Sequence, residues 1–152
     1  MRKVNFTIIT VVKNDEKNIK KTLKNVLNQT YKNFEYIIVD GKSTDHTLNI
    51  LKEYKKKYDF ILYSREDLNF YDSLNFAIKK SKGNYIGIMN SGDVFINKNQ
   101  LKKINDKLNK NYFIFYSNLY YVRKGKYVRS WEYSVKKLNS FNIFKIPHST
   151  LF

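Results

Sequence analysis

The sequence predicts an α/β protein: a mostly parallel sheet with helices on both faces and a small antiparallel hairpin appended to it. Over about the first hundred residues, short apolar runs alternate with amphipathic helical patterns, which is typical of parallel sheets. Further along, tyrosines alternate with smaller residues around Lys124 and Gly125, which indicates a hairpin. The chain has 152 residues, of which 42% are hydrophobic and 16% aromatic, so it allows one domain with a buried core and excludes ordinary disorder.

Each element follows from its own local pattern. Apolar runs predict parallel strands at residues 6–12, 34–39, 60–63 and 85–89. Helical spacing of apolar residues predicts helices at residues 15–29, 44–57 and 70–80, followed by a helix that carries Leu101, Ile104 and Leu108. The third of these helices carries the apolar residues Leu74, Ala77 and Ile78. The hairpin strands are predicted at residues 112–123 and 126–133.

The composition excludes several classes of protein. Cysteine is absent, which excludes disulfide scaffolds and thiolate metal sites. No stretch approaches about 18 apolar residues, so the sequence predicts no transmembrane helix. The apolar run at residues 6–12 is interpreted as a buried strand and not as a signal peptide. The expected location is the cytoplasm, with a peripheral contact to the inner face of the membrane as an open alternative.

The net charge of +16 comes from 29 lysines and arginines against 13 acids. Nearly all of the basic residues are lysines, and AT-rich codons favour the same abundance of Lys, Asn, Ile and Tyr, so part of the charge reflects composition. A positive surface attracts nucleotide diphosphates, lipid phosphates and anionic membranes. A nucleic-acid-binding protein would need an arginine-rich face interleaved with aromatic residues, for which only the tyrosine-rich hairpin qualifies. We therefore expect no nucleic-acid partner.

Ligands of parallel sheets bind beyond the carboxyl ends of the strands, so the residues that follow each strand are the site candidates. Asp40 ends the second strand, where a carboxylate can accept hydrogen bonds from a nucleobase or a ribose. Ser43, Thr44 and Asp45 then begin a helix, where they either cap it or face a phosphate.

Two further polar clusters follow the third and fourth strands. Asp93 closes the motif Asn90-Ser91-Gly92-Asp93, and a hard cation such as Mg²⁺ or Mn²⁺ takes one or two protein carboxylates and completes its shell with water and phosphates. The alternative is an Asp in a surface turn. Asp72 and Asn75 share one face of the third helix, where the alternative is an acid that favours the helix N-terminus.

The order and spacing of these segments resemble family 2 glycosyltransferases with the GT-A (Rossmann-like) fold, of the type that builds bacterial surface polysaccharides. The resemblance rests on residues 8–14, 25–31, 34–47, 71–75, 83–86, 90–93 and 147–150.

This resemblance implies transfer of a sugar, with inversion, from a nucleotide diphosphate sugar to a glycan or a lipid-diphosphate-linked acceptor in cell-surface polysaccharide biosynthesis. It implies a divalent cation, Mg²⁺ or Mn²⁺, bound by Asp93 with His148 near the metal or diphosphate. Asn90 departs from the usual Asp-x-Asp pattern and supplies a neutral oxygen. The residues expected to bind substrate are Thr10, Val12, Asn14, Asp40, Gly41, Ser43, Asp67, Tyr71, Asp72, Asn75, Asn90, Ser91 and Gly92.

The catalytic base is what the sequence does not identify. An inverting transfer needs a base for the acceptor hydroxyl, yet only Asp106 and Glu132 are acidic after Asp93. Glu132 and Asp72 are the weak candidates, and Asp106 is expected to be solvated on its helix. We therefore expect residues 1–152 to be a single family 2-like nucleotide-sugar-binding domain truncated at its C-terminus. The alternative function is a catalytically silent fragment that binds a nucleotide diphosphate.

Overall fold

A computed structural model describes residues 5–108, 118–123 and 125–131. In this part of the chain, four parallel strands form one sheet: β1 (Phe6–Val12), β2 (Phe34–Asp40), β3 (Ile61–Ser64) and β4 (Tyr85–Ile88). Their order across the sheet is β3-β2-β1-β4, so β1 and β2 are central. Two antiparallel strands, β5 (Leu119–Arg123) and β6 (Lys126–Trp131), form a separate ribbon. The predicted parallel sheet with an antiparallel hairpin is confirmed.

Helices separate the strands: α1 (Ile19–Leu27), α2 (Thr47–Lys55), α3 (Phe70–Lys80) and α4 (Gln100–Lys107). The α3 helix has the predicted bounds because Asn69 caps it, its side chain accepting hydrogen bonds from two backbone amides of the first turn. The α1 and α2 helices begin about one turn later than predicted. Residues 15–18 and 44–46 lie in loops instead, because polar groups of the loop after β1 form hydrogen bonds with polar groups of the loop after β2.

Helices cover both faces of the parallel sheet, as predicted. On one face, α1, α2 and α4 pack against side chains such as Phe6, Ile8 and Ile38. On the other face, α3 packs through Leu74 and Ala77 against Ile9, Ile37 and Val39. Fully burying an aliphatic side chain of this size stabilises a fold by roughly 1.5–3 kcal/mol. Ile78 lies on the outer side of the apolar stripe of α3, where its side chain is 38% exposed.

Two buried hydroxyl groups lie within the first of these cores. Thr10 Oγ1 is 2.7 Å from the carbonyl oxygen of Met89 and 2.9 Å from the hydroxyl of Tyr36. Since Thr10 must donate to the carbonyl, the Tyr36 hydroxyl donates to Thr10. Burial raises the pKa of the Tyr36 phenol, although its bond to Thr10 opposes the shift. Tyr36 is therefore a neutral phenol in the folded chain.

The strand register brings the carboxyl ends of the strands to one edge of the sheet. Val12 is paired with Asp40, and Asp40 with Ser64, so the last residues of three strands stand side by side. The loops that follow these strands are thus neighbours before any side chain is considered. Among the residues that the structure describes, no helix is long and apolar enough to cross a bilayer.

Candidate functional site

The loops after β1 and β2 are joined by hydrogen bonds. Asn14 has a left-handed backbone, with φ of 52°, and its side-chain oxygen accepts a bond of 2.7 Å from the Thr44 amide. Its own amide donates to Ser43 Oγ at 2.9 Å. The interpretation of Ser43 and Thr44 as helix caps is therefore wrong, because they bond to Asn14 while His46, at the N-cap, makes no side-chain cap bond.

Asp45 joins the same two loops. One carboxylate oxygen accepts a hydrogen bond from the Glu16 amide at 3.1 Å, and the other accepts from the Thr47 amide at 2.9 Å. Desolvation raises the pKa of this carboxyl, but the hydrogen bonds from Thr47 and Glu16 together outweigh it, so its pKa lies below the ordinary value. Asp45 therefore holds the two loops together in its ionised form.

Asp40 ends β2 with its side chain fully buried. Its Oδ2 accepts a hydrogen bond from Ser64 Oγ at 2.8 Å, and both carboxylate oxygens lie 3.3 Å from the Ser43 amide. These partners give the carboxylate a structural role, in shaping the loop after β2, beside its predicted role in binding. An ionised carboxylate with this few donors retains acceptor capacity for a ligand N–H or O–H group.

A second carboxylate, that of Asp67, lies directly behind Gly41. Its side chain is only 7% exposed, its Oδ2 accepts a bond of 2.6 Å from Ser73 Oγ, and its Oδ1 is 3.9 Å from Lys13 Nζ. A Cβ on residue 41 would lie 2.8 Å from Asp67 Oδ2, which no ordinary contact permits. Only glycine fits there without displacing Asp67. Sequence reasoning missed Ser73 as the partner of Asp67, because no local pattern marks a serine as a carboxylate partner.

The remaining predicted residues of α3 lie at its exposed beginning. Asp72 Oδ2 accepts a hydrogen bond of 2.9 Å from Arg65 Nη1, and both side chains are about one-third exposed. The Arg65 guanidinium also lies over the Phe76 ring at 4.9 Å. Asn75 is exposed, and Tyr71 is 70% exposed. Asp72 is therefore already paired with a cation.

The loop after β4 is fastened to α1. Thr22 Oγ1 accepts a bond of 2.8 Å from the Gly92 amide and donates to the Asp93 carbonyl at 2.9 Å. Gly92 has φ of 93°, a conformation that suits glycine. Asn25 and Gln29 continue the row, and Gln29 donates to the Asn97 carbonyl at 2.9 Å. Sequence reasoning missed these residues, although polar side chains beside an apolar helical stripe were a visible signal.

The motif Asn90-Ser91-Gly92-Asp93 presents oxygen atoms of three kinds in the loop after β4. Ser91 Oγ is buried and has no hydrogen-bond partner among the residues that the structure describes, so a hydroxyl oxygen is left available in the loop that holds Asp93. Carboxylate, amide and hydroxyl oxygens suit Mg²⁺ or Mn²⁺. Within the described ranges, no three His, Cys, Asp or Glu side chains form a metal-binding cluster. Asn90, Ser91 and Asp93 are thus the residues whose oxygen atoms could hold a cation.

Four predicted residues stand apart from these groups. Thr10 and Val12 are buried, and Val12 contributes its carbonyl oxygen, which accepts a bond of 2.9 Å from the Gly41 amide. Glu132 and His148 lie outside the described residues, so their assignments as base and metal ligand stay predictions. The fold brings Asn14, Asp40, Gly41, Ser43 and Asp67 together at one edge of the sheet.

Comparison with known proteins decides the family. The model described as "Glycosyl transferase family 2" matches residues 7–151. The chain belongs to glycosyl transferase family 2. This confirms the resemblance that the sequence motifs indicated.

Two curated relatives are enzymes of surface-polymer synthesis. The UDP-Glc:α-D-GlcNAc-diphosphoundecaprenol β-1,3-glucosyltransferase WfaP of Escherichia coli is 32% identical over 118 residues, covering 78% of this chain and 47% of that protein. The poly(ribitol-phosphate) β-glucosyltransferase of Bacillus spizizenii is 39% identical over 93 residues, covering 58% of this chain and 15% of that protein. The chain thus spans less than half the length of these relatives.

A solved structure shows the same fold. TarS 1–349 of S. aureus in complex with UDP-GlcNAc superposes with a TM-score of 0.62 at 29% identity, over 68% of this chain and 30% of that one. The family 2 domain described here therefore has the GT-A fold.

Proposed function

We propose that this chain forms the donor-binding part of an inverting glycosyltransferase of cell-surface polysaccharide synthesis. The donor is a nucleoside diphosphate sugar, and the acceptor is a glycan or a lipid-diphosphate-linked glycan. Family membership supports the transferase class. The UDP-GlcNAc bound by TarS and the diphosphoundecaprenol acceptor of WfaP support these two substrate classes.

The observation that carries the proposal is the pair of buried carboxylates, Asp40 and Asp67, on either side of Gly41. Asp40 ends β2 directly before Gly41, and Asp67 Oδ2 lies 2.8 Å from the position that a Cβ on residue 41 would occupy, so both belong to the carboxyl edge of the sheet. Acceptor-only groups at this depth suit the N–H group of a nucleobase and the hydroxyls of a ribose. Lys13, with a side chain 57% exposed, stands beside Asp67 where it can attract a phosphate.

Inversion is a single displacement at the anomeric carbon. The acceptor oxygen loses its proton to a base and bonds to that carbon, while the bond to the nucleoside diphosphate breaks and its electrons leave with the diphosphate. When bound, a divalent cation offsets the charge on that leaving group. Asn90, Ser91 and Asp93 are the residues proposed to hold the cation, and Thr22 fixes their loop against α1.

A second candidate is a nucleotide-diphosphate-binding module without transferase activity. The ion pair between Asp72 and Arg65 favours it, because a carboxylate that already accepts from a guanidinium is a poor acceptor for a proton. Glu132 is then the remaining weak candidate for the base. Donor binding without transfer would identify this module.

Calorimetry with UDP tests the proposal, first with Mn²⁺ and then with chelator. We expect weak binding that Mn²⁺ strengthens, and Asp40→Asn should weaken binding alike in both conditions. Asp106→Asn is the matched control, because Asp106 is exposed on α4. Absence of UDP binding, or an equal loss in both variants, would contradict the proposed donor site. Transfer to a lipid-diphosphate acceptor then separates the enzyme from the silent module.

The proposed location follows from the acceptor. A domain that takes a nucleotide sugar as donor and a lipid-linked acceptor has both substrates within reach at the cytoplasmic face of the membrane. The peripheral contact with that membrane is part of the proposal.

A further inference from the structure

The β5–β6 ribbon is a chemically two-sided element. Within the part of the chain that the structure describes, its strands pair only with each other. An isolated two-stranded hairpin is marginally stable in water. Such a ribbon gains stability when a partner covers one of its faces.

One face of the ribbon is apolar and exposed. Tyr120 and Val122 alternate on β5, and Tyr127 is the cross-strand partner of Val122. The rings of Tyr120 and Tyr127 lie 6.2 Å apart, which confirms that they share this face. Tyr120, Val122 and Tyr127 are 47%, 60% and 62% exposed. Val128, at the irregularity in the strand pairing, is 56% exposed.

The ribbon is also strongly basic. Residues 118–131 include Arg123, Lys124, Lys126 and Arg129 and no Asp or Glu. Arg123 and Lys126 are direct cross-strand partners at the turn, and like charges in that position destabilise a ribbon unless an anion lies between them. Arg129 lies over the Tyr121 ring at 4.3 Å, on the face opposite the apolar one.

We propose that this ribbon is the surface by which the chain contacts an anionic lipid bilayer. Tyrosines favour the membrane interface, where the ring is buried and the hydroxyl stays hydrated. Alternation along β5 places Arg123 and its partner Lys126 on the face opposite Tyr120 and Val122. At the turn of a ribbon only two strands wide, their long stems can extend around its edge to lipid phosphates. A second copy of the chain fits less well, because it would bring two ribbons of like charge together.

The inference rests on the proposed function in one respect: the membrane contact would bring the domain to a lipid-linked acceptor. Its test needs neither donor nor acceptor, so its outcome is independent of the calorimetry with UDP. The full chain is centrifuged with vesicles of phosphatidylcholine, and with vesicles of phosphatidylcholine and phosphatidylglycerol in about equal parts.

We expect binding to the anionic vesicles only. Arg123→Gln/Lys126→Gln should weaken it by roughly five-fold for each cation removed, while Lys102→Gln/Lys103→Gln on α4, with the same loss of charge, should leave it nearly unchanged. Val122→Ser/Tyr127→Ser should weaken it as well, whereas Tyr58→Ser/Ile96→Ser, at exposed apolar residues elsewhere, should not.

Two results would overturn the proposal. Equal losses in the ribbon variants and their controls would show that the overall charge of +16 alone attracts the vesicles. A dimer in light scattering that Val122→Ser/Tyr127→Ser converts to a monomer, with vesicle binding unchanged, would make a second copy the partner. Unchanged far-ultraviolet circular dichroism and urea midpoints of the ribbon variants show that the domain is still folded.

Discussion

Asp67 Oδ2 lies 2.8 Å from the position that a Cβ on residue 41 would occupy, so Gly41 and Asp67 are fitted to each other. The carboxylate has little freedom to move away, because Ser73 holds it at 2.6 Å and its side chain is 7% exposed. This close approach joins the loop after β2 to the loop after β3. It thereby places Asp67 beside the loop that follows Asp40.

Gly41→Ala should destabilise the fold by about 1–3 kcal/mol, the usual cost of overpacking. In an Asp67→Ala background the same substitution should cost far less, because the clashing oxygen is gone. Urea unfolding of the two single variants and the double variant measures this coupling. Asp59→Ala is the control background, since Asp59 is fully exposed and should leave the cost of Gly41→Ala unchanged. Equal costs in all backgrounds would show that Asp67 is not the obstacle.

Gln29→Leu should remove hydrogen bonds that hold the segment between β4 and α4 against the end of α1. The fully buried Gln29 side chain donates to the Asn97 carbonyl at 2.9 Å and accepts from the Leu101 amide at 3.1 Å. Leaving a buried polar group unpaired costs about 1–3 kcal/mol. Hydrogen exchange of the Leu101 amide should therefore become faster in the variant. Lys24→Leu, exposed on α1, is the control, and equal exchange in both variants would contradict this role.

The parallel sheet could be predicted from the sequence, because each strand and helix buries its own apolar residues and therefore carries a local apolar pattern. The α3 helix was predicted residue for residue, since its cap, Asn69, and its apolar stripe are both local signals. The start of α1 was not, because Asp15 and Glu16 bond through their amides to side chains of the next loop. Helix propensity depends on the local sequence, so it cannot indicate hydrogen bonds between residues that are far apart in the chain.

The same distinction applies to the candidate site. A carboxylate after a buried strand marked Asp40, but its partner Ser64 comes from a different strand. The sequence predicts that Asp72 either binds substrate or stabilises the N-terminus of α3. In the structure, Asp72 pairs with Arg65, which lies before α3. Position relative to a strand can be read from sequence, whereas the pairing of side chains across loops depends on the folded backbone.

Acid should weaken the link between the loops after β1 and β2. The pKa of Asp45 in the folded chain lies below its ordinary value of 3.8, so the anion stabilises the fold above that pH. This contribution should be lost as the pH falls below about 3.8 and through the lower folded value. Urea midpoints across acidic pH should fall less steeply in Asp45→Asn than in the wild type. Asp59→Asn is the control, and parallel curves for all three proteins would contradict the prediction.

Ser91→Ala should separate metal binding from stability. Ser91 Oγ is buried and has no partner in the described part of the chain, so its removal should either raise the free energy of unfolding or change it by less than about 0.5 kcal/mol. Ser73→Ala is the matched control, because that buried hydroxyl bonds to Asp67 and its loss should cost about 1–3 kcal/mol. If the Ser91 hydroxyl binds the cation, Ser91→Ala should reduce the Mn²⁺-dependent increase in UDP affinity several-fold. The affinity for UDP in the presence of chelator should stay unchanged. An unchanged Mn²⁺ effect in Ser91→Ala, together with its loss in Asp93→Asn, would assign the cation to Asp93 without the serine.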